Sequence, residues 1–375
     1  MVRFGIVGCG HMGKGHARSI WDGQVPGAVL TAVCDTDPIA LKWAKENDPN
    51  IKTFDTATAM FDSGEIDAVL IATPHYDHPI IAMEAMDKKI HVITEKPAGV
   101  YTKNVREMNE KAASAGVVFA IMYQQRTHPM YRKMREMVQN GELGAIKRTS
   151  WLITDWYRPQ AYYDNGGWRA TWEGEGGGVL INQCPHNLDL WQWICGMPKR
   201  VTAFAHNGKW HNIEVEDDVT AYVEYENGAT GIFVTTTADC PGNNRFEVMG
   251  DLGKLVCEHG QLVHYKLEVS EREFNRTNTV MFGAPKAERI VIDCPGDFPQ
   301  HPEVLRAFVR KINGEGELVA CGEEGINGLT ISNAMHLSSW LGKTVELPLD
   351  EDLYLAELKK KFKYSGLNSK PSCML

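Results

Sequence analysis

The sequence predicts an α/β protein of two domains: a doubly wound parallel sheet followed by an α+β domain whose sheet is mostly antiparallel and open. Three observations predict it. Residues 1–123 alternate short, near-continuous apolar runs with helix-like segments, the pattern of strands covered on both faces. From about Gln124 the runs become alternating or β-branched, with hairpin-type turns between them. The chain's 375 residues also exceed what a single core usually serves.

The first apolar run starts at Val2 and reaches Gly8, Gly10 and Gly13, spaced G-x-G-x-x-G with His11 and Met12 between the last two; residues 14–21 continue as a helix. In that order of strand, turn and helix, Gly8 permits the tight turn and Gly10 lets backbone approach a pyrophosphate. Gly13 lets the helix pack closely on the strand, with its free N–H groups and positive dipole end toward the phosphates. The next run, residues 29–34, ends at Asp35, about twenty residues beyond Gly13, where a carboxylate accepts both ribose hydroxyls of an adenosine. A carboxylate there repels a 2′-phosphate, so NAD is expected over NADP.

Asp37-Pro38 caps and starts a helix to about Asn47. Residues 67–72 form a buried strand ending at Thr73-Pro74, residues 79–86 a helix and residues 90–94 a strand. Thr102 caps a helix to Ala115, and a strand follows at 117–122. Ligands of such sheets bind beyond the carboxyl ends of the strands. This puts residues 8–13, Asp35, Thr73, Pro74, His75, His78, Glu95-Lys96-Pro97 and Gln124-Gln125-Arg126 on one rim.

In the second domain a helix at 129–140 stops at Gly141, and a strand at 146–153 precedes a Gly- and Trp-rich loop that runs to Gly178. Strand-like segments follow at 200–205, 219–225, 230–237, 246–249 and 254–257, with hairpin turns at Asn227-Gly228 and His259-Gly260. Helices at 302–311 and 323–341 are expected to close this domain. The boundaries read as 1–123, 124–364 and a loose tail at 365–375, with no repeat or low-complexity linker.

Apolar residues make up 43% and charged residues 23%, as in soluble globular proteins. A net charge of -9 without a basic run argues against nucleic acid or an anionic membrane as main partner. Nine cysteines without a C-x-x-C pair or metal-ligand spacing read as reduced, mostly buried thiols. With the first strand starting at Val2 and no apolar run near the ~20 residues of a membrane span, the expected location is cytoplasmic.

The glycine turn, the Glu95-Lys96-Pro97 strand end and Gly176-Gly-Gly-Val-Leu-Ile-Asn182-Gln-Cys-Pro-His186-Asn-Leu-Asp189 come in an order and spacing that resemble the family of glucose-fructose oxidoreductase, inositol dehydrogenase and rhizopine-catabolism proteins. The resemblance covers nearly the whole chain, to about Leu349. It implies NAD(P)-dependent redox chemistry on a secondary alcohol of a sugar or cyclitol, with a Rossmann-type domain for the nucleotide and the second domain for the sugar. By the same resemblance Lys96 hydrogen-bonds the reacting hydroxyl and His186 accepts its proton. The charge of a lysine stabilises a developing alkoxide, and an imidazole titrating near neutrality suits proton removal. The segment from Thr73 to His78 is implied to lie beside the nicotinamide and ribose, and Gln125 to contact the cofactor amide or substrate. His75-x-x-His78 lacks further clustered ligands, so no metal is expected.

Asn182 departs from the aspartate most members carry. An amide orients an imidazole and meets a substrate hydroxyl, but it brings no charge to an imidazolium. Asn also occurs here in branches resembling nucleotide-sugar 3-dehydrogenases. Asp189 is placed to supply that charge, to cap or to form a salt bridge. Asn182 and His186, four residues apart, are expected on one helix face, with Pro185 the irregularity.

Six of the ten tryptophans fall between 151 and 193. Aromatic walls with a few polar groups bind the C–H faces and hydroxyls of sugars. Tyr157, Arg158, Trp168, Arg169 and Trp172 are therefore expected to line the substrate site with Asn182 and His186, while Trp191 and Trp193 pack in the core. So aromatic a loop suggests a glycoside bearing an aglycone. The expected activity is reversible oxidation of a pyranoside hydroxyl, at C3, to the ketone. Alternatives are a glycosidase working through transient 3-keto oxidation and elimination, an inositol dehydrogenase, and a non-catalytic NAD or sugar sensor. A homodimer or homotetramer is implied by resemblance.

Overall fold

The structure, a computed structural model, describes residues 1–362. The expected tail at 365–375 lies outside them. The described chain divides into two compact units, one of residues 1–127 with 299–329, the other of residues 128–298 with 330 onward.

The first unit runs β1 (Val2–Val7), α1 (His11–Trp21), β2 (Ala28–Cys34), α2 (Pro38–Asn47), β3 (Lys52–Phe54), α3 (Ala57–Asp62), β4 (Ala68–Ile71), α4 (Asp77–Asp87), β5 (His91–Thr94), α5 (Thr102–Ala115) and β6 (Phe119–Ile121). The six strands are all parallel, in the order β3-β2-β1-β4-β5-β6. The order reverses between β1 and β4, the switch point at which such sheets open a crevice. Asp37 caps α2 by accepting the Ile39 N–H at 2.8 Å. Thr102, expected as a cap, is instead the first residue of α5, whose N-cap is Tyr101. The apolar runs at β1, β2 and β4 place Phe4, Ile6, Leu30, Val33 and Leu70 in one core.

The second unit contains α6 (Pro129–Gln139), β7 (Ile146–Ile153), the single turn α7 (Gln160–Tyr163), α8 (Pro185–Cys195), β8 (Arg200–Asn207), β9 (Glu216–Glu224), β10 (Thr230–Thr236), β11 (Asn244–Gly250), β12 (Gly253–Glu258), β13 (Gln261–Leu267), α9 (Glu271–Thr277) and β14 (Ala287–Ile292). After α10 (Gln300–Ile312), helix α11 (Gly325–Leu341) carries the chain back into this unit at Thr330, and β15 (Val345–Glu346) and α12 (Glu351–Phe362) complete it. Its nine strands follow the order β14-β13-β12-β11-β7-β10-β9-β8-β15. Only β7 and β10 pair parallel, so the sheet is mostly antiparallel as its alternation predicts. Trp151 of β7 stacks on Phe246 of β11 at 4.2 Å between centroids, and Trp191 of α8 stacks on Phe233 of β10 at 5.4 Å. The first pair joins two neighbouring strands, and the second anchors helix to sheet.

Helix α10 corrects the domain reading. The sequence places it in the second domain, whereas residues 299–329 belong to the first unit. Val304, Leu305, Phe308 and Val309 join the core of β1 and β2, with Phe308 edge-on to Phe4 at 6.0 Å. Burying each such side chain contributes roughly 1.5–3 kcal/mol. The compact unit itself runs through Thr127.

Candidate active site

In the first unit the rim expected from sequence is present. Residues 8–13, Asp35, Thr73 to His78, Glu95 to Pro97 and Gln124 to Arg126 directly follow the carboxyl ends of β1, β2, β4, β5 and β6, which are parallel neighbours. Gly8 has φ +90, and a Cβ there would stand 2.6 Å from the backbone of Ala72. On Gly13 a Cβ would meet the Gly8 carbonyl oxygen at 1.9 Å, so only glycine lets α1 start this close to its own turn. Gly10 differs: its Cβ direction meets no atom within 4 Å. His11 and exposed Met12 open α1, whose first-turn N–H groups have no partner within the helix.

Asp35 stands at the end of β2 with each oxygen already accepting one backbone N–H, from Cys9 at 2.6 Å and Asp37 at 2.8 Å. These bonds fix the carboxylate against the glycine turn, and each oxygen retains a further lone pair for a hydroxyl. Small residues where backbone must approach a phosphate, a helix N-terminus and a fixed carboxylate at the second strand end fit NAD.

Glu95 is buried, and its carboxylate has protein partners. Oε1 accepts from His16 Nε2 at 2.7 Å and Oε2 accepts the Lys96 N–H at 3.1 Å. Burial acts to raise this carboxyl, but the hydrogen bond from His16, with the charges of His16, His301 and Lys96, holds it at about 2. Glu95 is thus a buried anchor beneath Lys96, which is half-buried just beyond β5 and joined to Pro97 by a cis peptide.

His78 stands between two loops of this rim. It is buried, with Nδ1 2.8 Å from the Pro97 carbonyl and Nε2 2.9 Å from the Thr73 carbonyl. Both ring nitrogens face backbone carbonyls, and the neutral ring, with one N–H, donates to one of them, so His78 bridges the β4 loop and the β5 loop. Burial holds its pKa below the ordinary value. Thr73 and Pro74 are half-buried on the same loop, and His75 is buried with its ring 6.0 Å from that of His78. Gln125 is half-buried in a 3-10 turn after β6, while its neighbour Arg126 turns inward to Glu324 at 2.7 Å.

In the second unit the glycine run leads into one turn of π-helix, Val179–Gln183, and α8 starts afresh with Pro185 in its first turn. Asn182 and His186 therefore lie on two successive helical segments, not on one helix face. Pro185, lacking an N–H, is tolerated there because a first-turn N–H needs no intrahelical partner. The turn is shaped by Glu216 of β9, a fully buried residue whose Oε1 accepts the N–H groups of Gly178 at 2.9 Å and Leu180 at 3.0 Å. A Cβ on Gly178 would meet the Glu216 carbonyl at 2.0 Å.

Several of the aromatic-loop residues expected at the substrate site gather around Asn182, with one exception. Asn182 Nδ2 donates to the Tyr162 hydroxyl at 3.2 Å, and Arg169 Nη1 donates to the same hydroxyl at 2.8 Å. The Arg169 guanidinium lies over Tyr162 at 4.9 Å and Trp168 at 4.8 Å; that of Arg158 lies over Tyr162 at 5.3 Å. Tyr157 is exposed beside them. The exception is Trp172: buried, edge-on to His336 and Trp340 and donating its indole N–H to the Glu214 carbonyl at 2.9 Å, it is a packing residue. His186 is buried on the first turn of α8, and Asp189 accepts from the Gln192 amide at 3.1 Å.

Three residues escaped the sequence reading: His16, Glu175 and Glu216. His16 and Glu175 are flanked directly by glycine or alanine, a placement in which burial costs free energy unless a partner is present, and that mismatch is the signal that could have found them. Glu216 stands in the acidic run 214–218, where nothing in the sequence sets it apart from its neighbours.

The fold and the rim define an NAD-binding oxidoreductase. The chain belongs to the Gfo/Idh/MocA family: residues 2–123 match the oxidoreductase-family NAD-binding Rossmann fold, and residues 131–256 match the GFO/IDH/MocA C-terminal domain. It is similar to the rhizopine catabolism protein MocA of Rhizobium meliloti, with 31% identity over 194 residues covering 52% of this chain and 57% of that protein. It is also similar to D-glucoside 3-dehydrogenase of Escherichia coli, with 25% identity over 338 residues, 85% of this chain and 90% of that one. Among solved structures, the WlbA dehydrogenase of Bordetella pertussis in complex with NADH and UDP-GlcNAcA superposes with a TM-score of 0.79 at 28% identity, covering 93% of this chain and 99% of that one. The protein is accordingly an NAD-binding oxidoreductase of the sugar or polyol dehydrogenase type. Among the described residues no helix is long and apolar enough to cross a membrane.

Proposed function

We propose that this protein reversibly oxidises a secondary hydroxyl of a sugar or glycoside, at C3, to the ketone. The observation that carries this reading is the linkage of Asn182, through the Tyr162 hydroxyl, to a wall of Arg158, Trp168 and Arg169. Such a wall suits a ring with apolar C–H faces and peripheral hydroxyls. Similarity to D-glucoside 3-dehydrogenase supports C3 as the position and a glycoside as the substrate.

Bound NAD supplies the acceptor for the hydride that leaves the alcohol carbon. Residues 8–13 would hold its pyrophosphate by backbone, and Asp35 would receive the adenosine ribose hydroxyls. Lys96 donates a hydrogen bond to the reacting hydroxyl and stabilises charge developing on its oxygen. His186 takes the hydroxyl proton on an imidazole nitrogen, and Asn182 orients the hydroxyl through its amide. The second sheet presents Phe204, Tyr222 and Ile232 on one exposed face, with Tyr222 directly opposite Ile232, which supports a homo-oligomer built on that face.

A panel of glycosides and cyclitols, assayed for NADH formation with the new carbonyl located by NMR, tests the reading. Lys96→Met is expected to lower kcat roughly 10²- to 10⁴-fold while NADH binding is retained. A fully active variant would remove Lys96 from the chemistry. Net glycoside cleavage without NADH accumulation would favour the glycosidase, and oxidation of free inositols alone would favour an inositol dehydrogenase.

A further inference from the structure

The turn that carries Asn182 also holds a carboxylate. Glu175 immediately precedes the glycine run and is 2% exposed. Its Oε2 accepts the Ala170 N–H at 2.7 Å, its Oε1 accepts from Asn182 Nδ2, and the Arg169 guanidinium lies 4.0 Å from Oε1. An ionised carboxylate only accepts hydrogen bonds, so it dictates which end of the amide faces it. Nδ2 is turned toward Glu175 and Tyr162, and Oδ1 points away from both.

We propose that Glu175 is a positioning residue for the dehydrogenase reaction: through its bond to Asn182 it restores the negative charge an aspartate at 182 would carry and fixes Oδ1 as the acceptor presented toward the reacting groups. The inference rests on the roles given above to Asn182 and His186. The groups facing Glu175 are Arg169, Tyr162 and Tyr163 of the aromatic loop and Glu216 of β9, behind which stands His336 of α11. Burial raises the Glu175 carboxyl to about 7, aided by Glu216 and opposed by the Ala170 N–H, Arg169 and Asn182. Protonated, Glu175 becomes a donor and no longer compels Nδ2 to face it, so the orientation of Asn182 is coupled to pH near neutrality.

The test uses the full chain with NADH bound and selective ¹⁵N-asparagine labelling. The side-chain amide signal of Asn182, identified by its absence from Asn182→Asp, is expected to titrate near pH 7 in the parent chain and to stay fixed in Glu175→Gln. In turnover, Glu175→Gln is expected to lose roughly 10- to 100-fold in kcat with little change in KM or NADH affinity. The pair Glu175→Gln with Asn182→Asp, which moves the carboxylate to the other position, is expected to recover most of that loss, a rescue that a merely structural role would not give. An amide that does not titrate, or Glu175→Gln with the parent's kcat and pH profile, overturns the inference while leaving the proposed function standing. A chain that oxidises no member of the panel overturns the function and the catalytic part of this inference with it.

Discussion

Glu95 of the first unit and Glu175 of the second are both buried carboxylates, and burial acts to raise both, yet their proton affinities move in opposite directions. Glu95 meets an imidazole nitrogen at 2.7 Å, with His301 and Lys96 contributing further positive charge, and is held at about 2. Glu175 meets a backbone N–H and a side-chain amide, with its guanidinium no closer than 4.0 Å, and rises to about 7. The difference teaches that a cationic partner at hydrogen-bond distance, rather than depth, decides whether a buried acid stays ionised.

The largest expected break in this comparison is Glu95→Leu, which leaves the buried His16 Nε2 without its hydrogen-bond partner and should cost about 1–3 kcal/mol in urea unfolding at pH 7. Glu175→Gln, which keeps a hydrogen-bonding shape, should cost about 1 kcal/mol or less. Equal losses would refute the distinction.

The pH dependences should then run in opposite senses. The depressed carboxyl of Glu95 stabilises the fold fully above its ordinary value of 4.5, and that contribution is lost as pH falls toward 2. The raised carboxyl of Glu175 keeps its proton in the folded chain, so the fold loses stability as pH rises from 4.5 to about 7 and changes little beyond. Unfolding curves of the parent and each glutamine variant at pH 3, 5, 7 and 8.5 would show both trends. Parallel trends would discard the assignment.

Smaller effects sharpen the first unit's side of the comparison. Asp35→Asn removes the charge that repels a 2′-phosphate and should improve NADP use relative to NAD by about tenfold, or about 1.4 kcal/mol. Unchanged preference would mean Asp35 does not meet the ribose. Gly10→Ala, whose methyl meets no protein atom, should leave Tm within about 2 °C while weakening NAD binding. A fall in Tm with intact NAD affinity would assign Gly10 to folding alone.

The sequence made the first sheet readable because its strands are covered on both faces and announce themselves as apolar runs. Asp35 and the glycine turn followed from spacing that only one strand-turn-helix geometry satisfies. Three-residue β3 and its neighbour α3 were too short to show a period, and β13 and β14 were missed among polar residues. Helix α10 was found but assigned to the wrong core, because an amphipathic stripe shows that a face is buried without naming the sheet beneath it. Around the site, Lys96, Asn182 and His186 rested on motif resemblance. Trp172 shows the limit of that approach: residue type suggested ligand contact, while the carbonyl of Glu214, 42 residues further on, accepts its indole N–H. Glu175 lay between two motifs and belonged to neither.

The bonds from Gly178 and Leu180 to Glu216 tie a turn to a strand that the chain reaches only after α8 and β8. A helix-opening turn rich in glycine would otherwise welcome any passing oxyanion; here the role is filled by a side chain of the same molecule. Position 178 cannot gain a methyl without displacing the backbone at 216, and position 216 cannot lose its side-chain acceptor oxygen without releasing the turn. Each site is therefore constrained on its own account, 178 by the backbone of β9 and 216 by its side chain, so a substitution remote in the chain can misplace Asn182 without touching any residue near it in sequence.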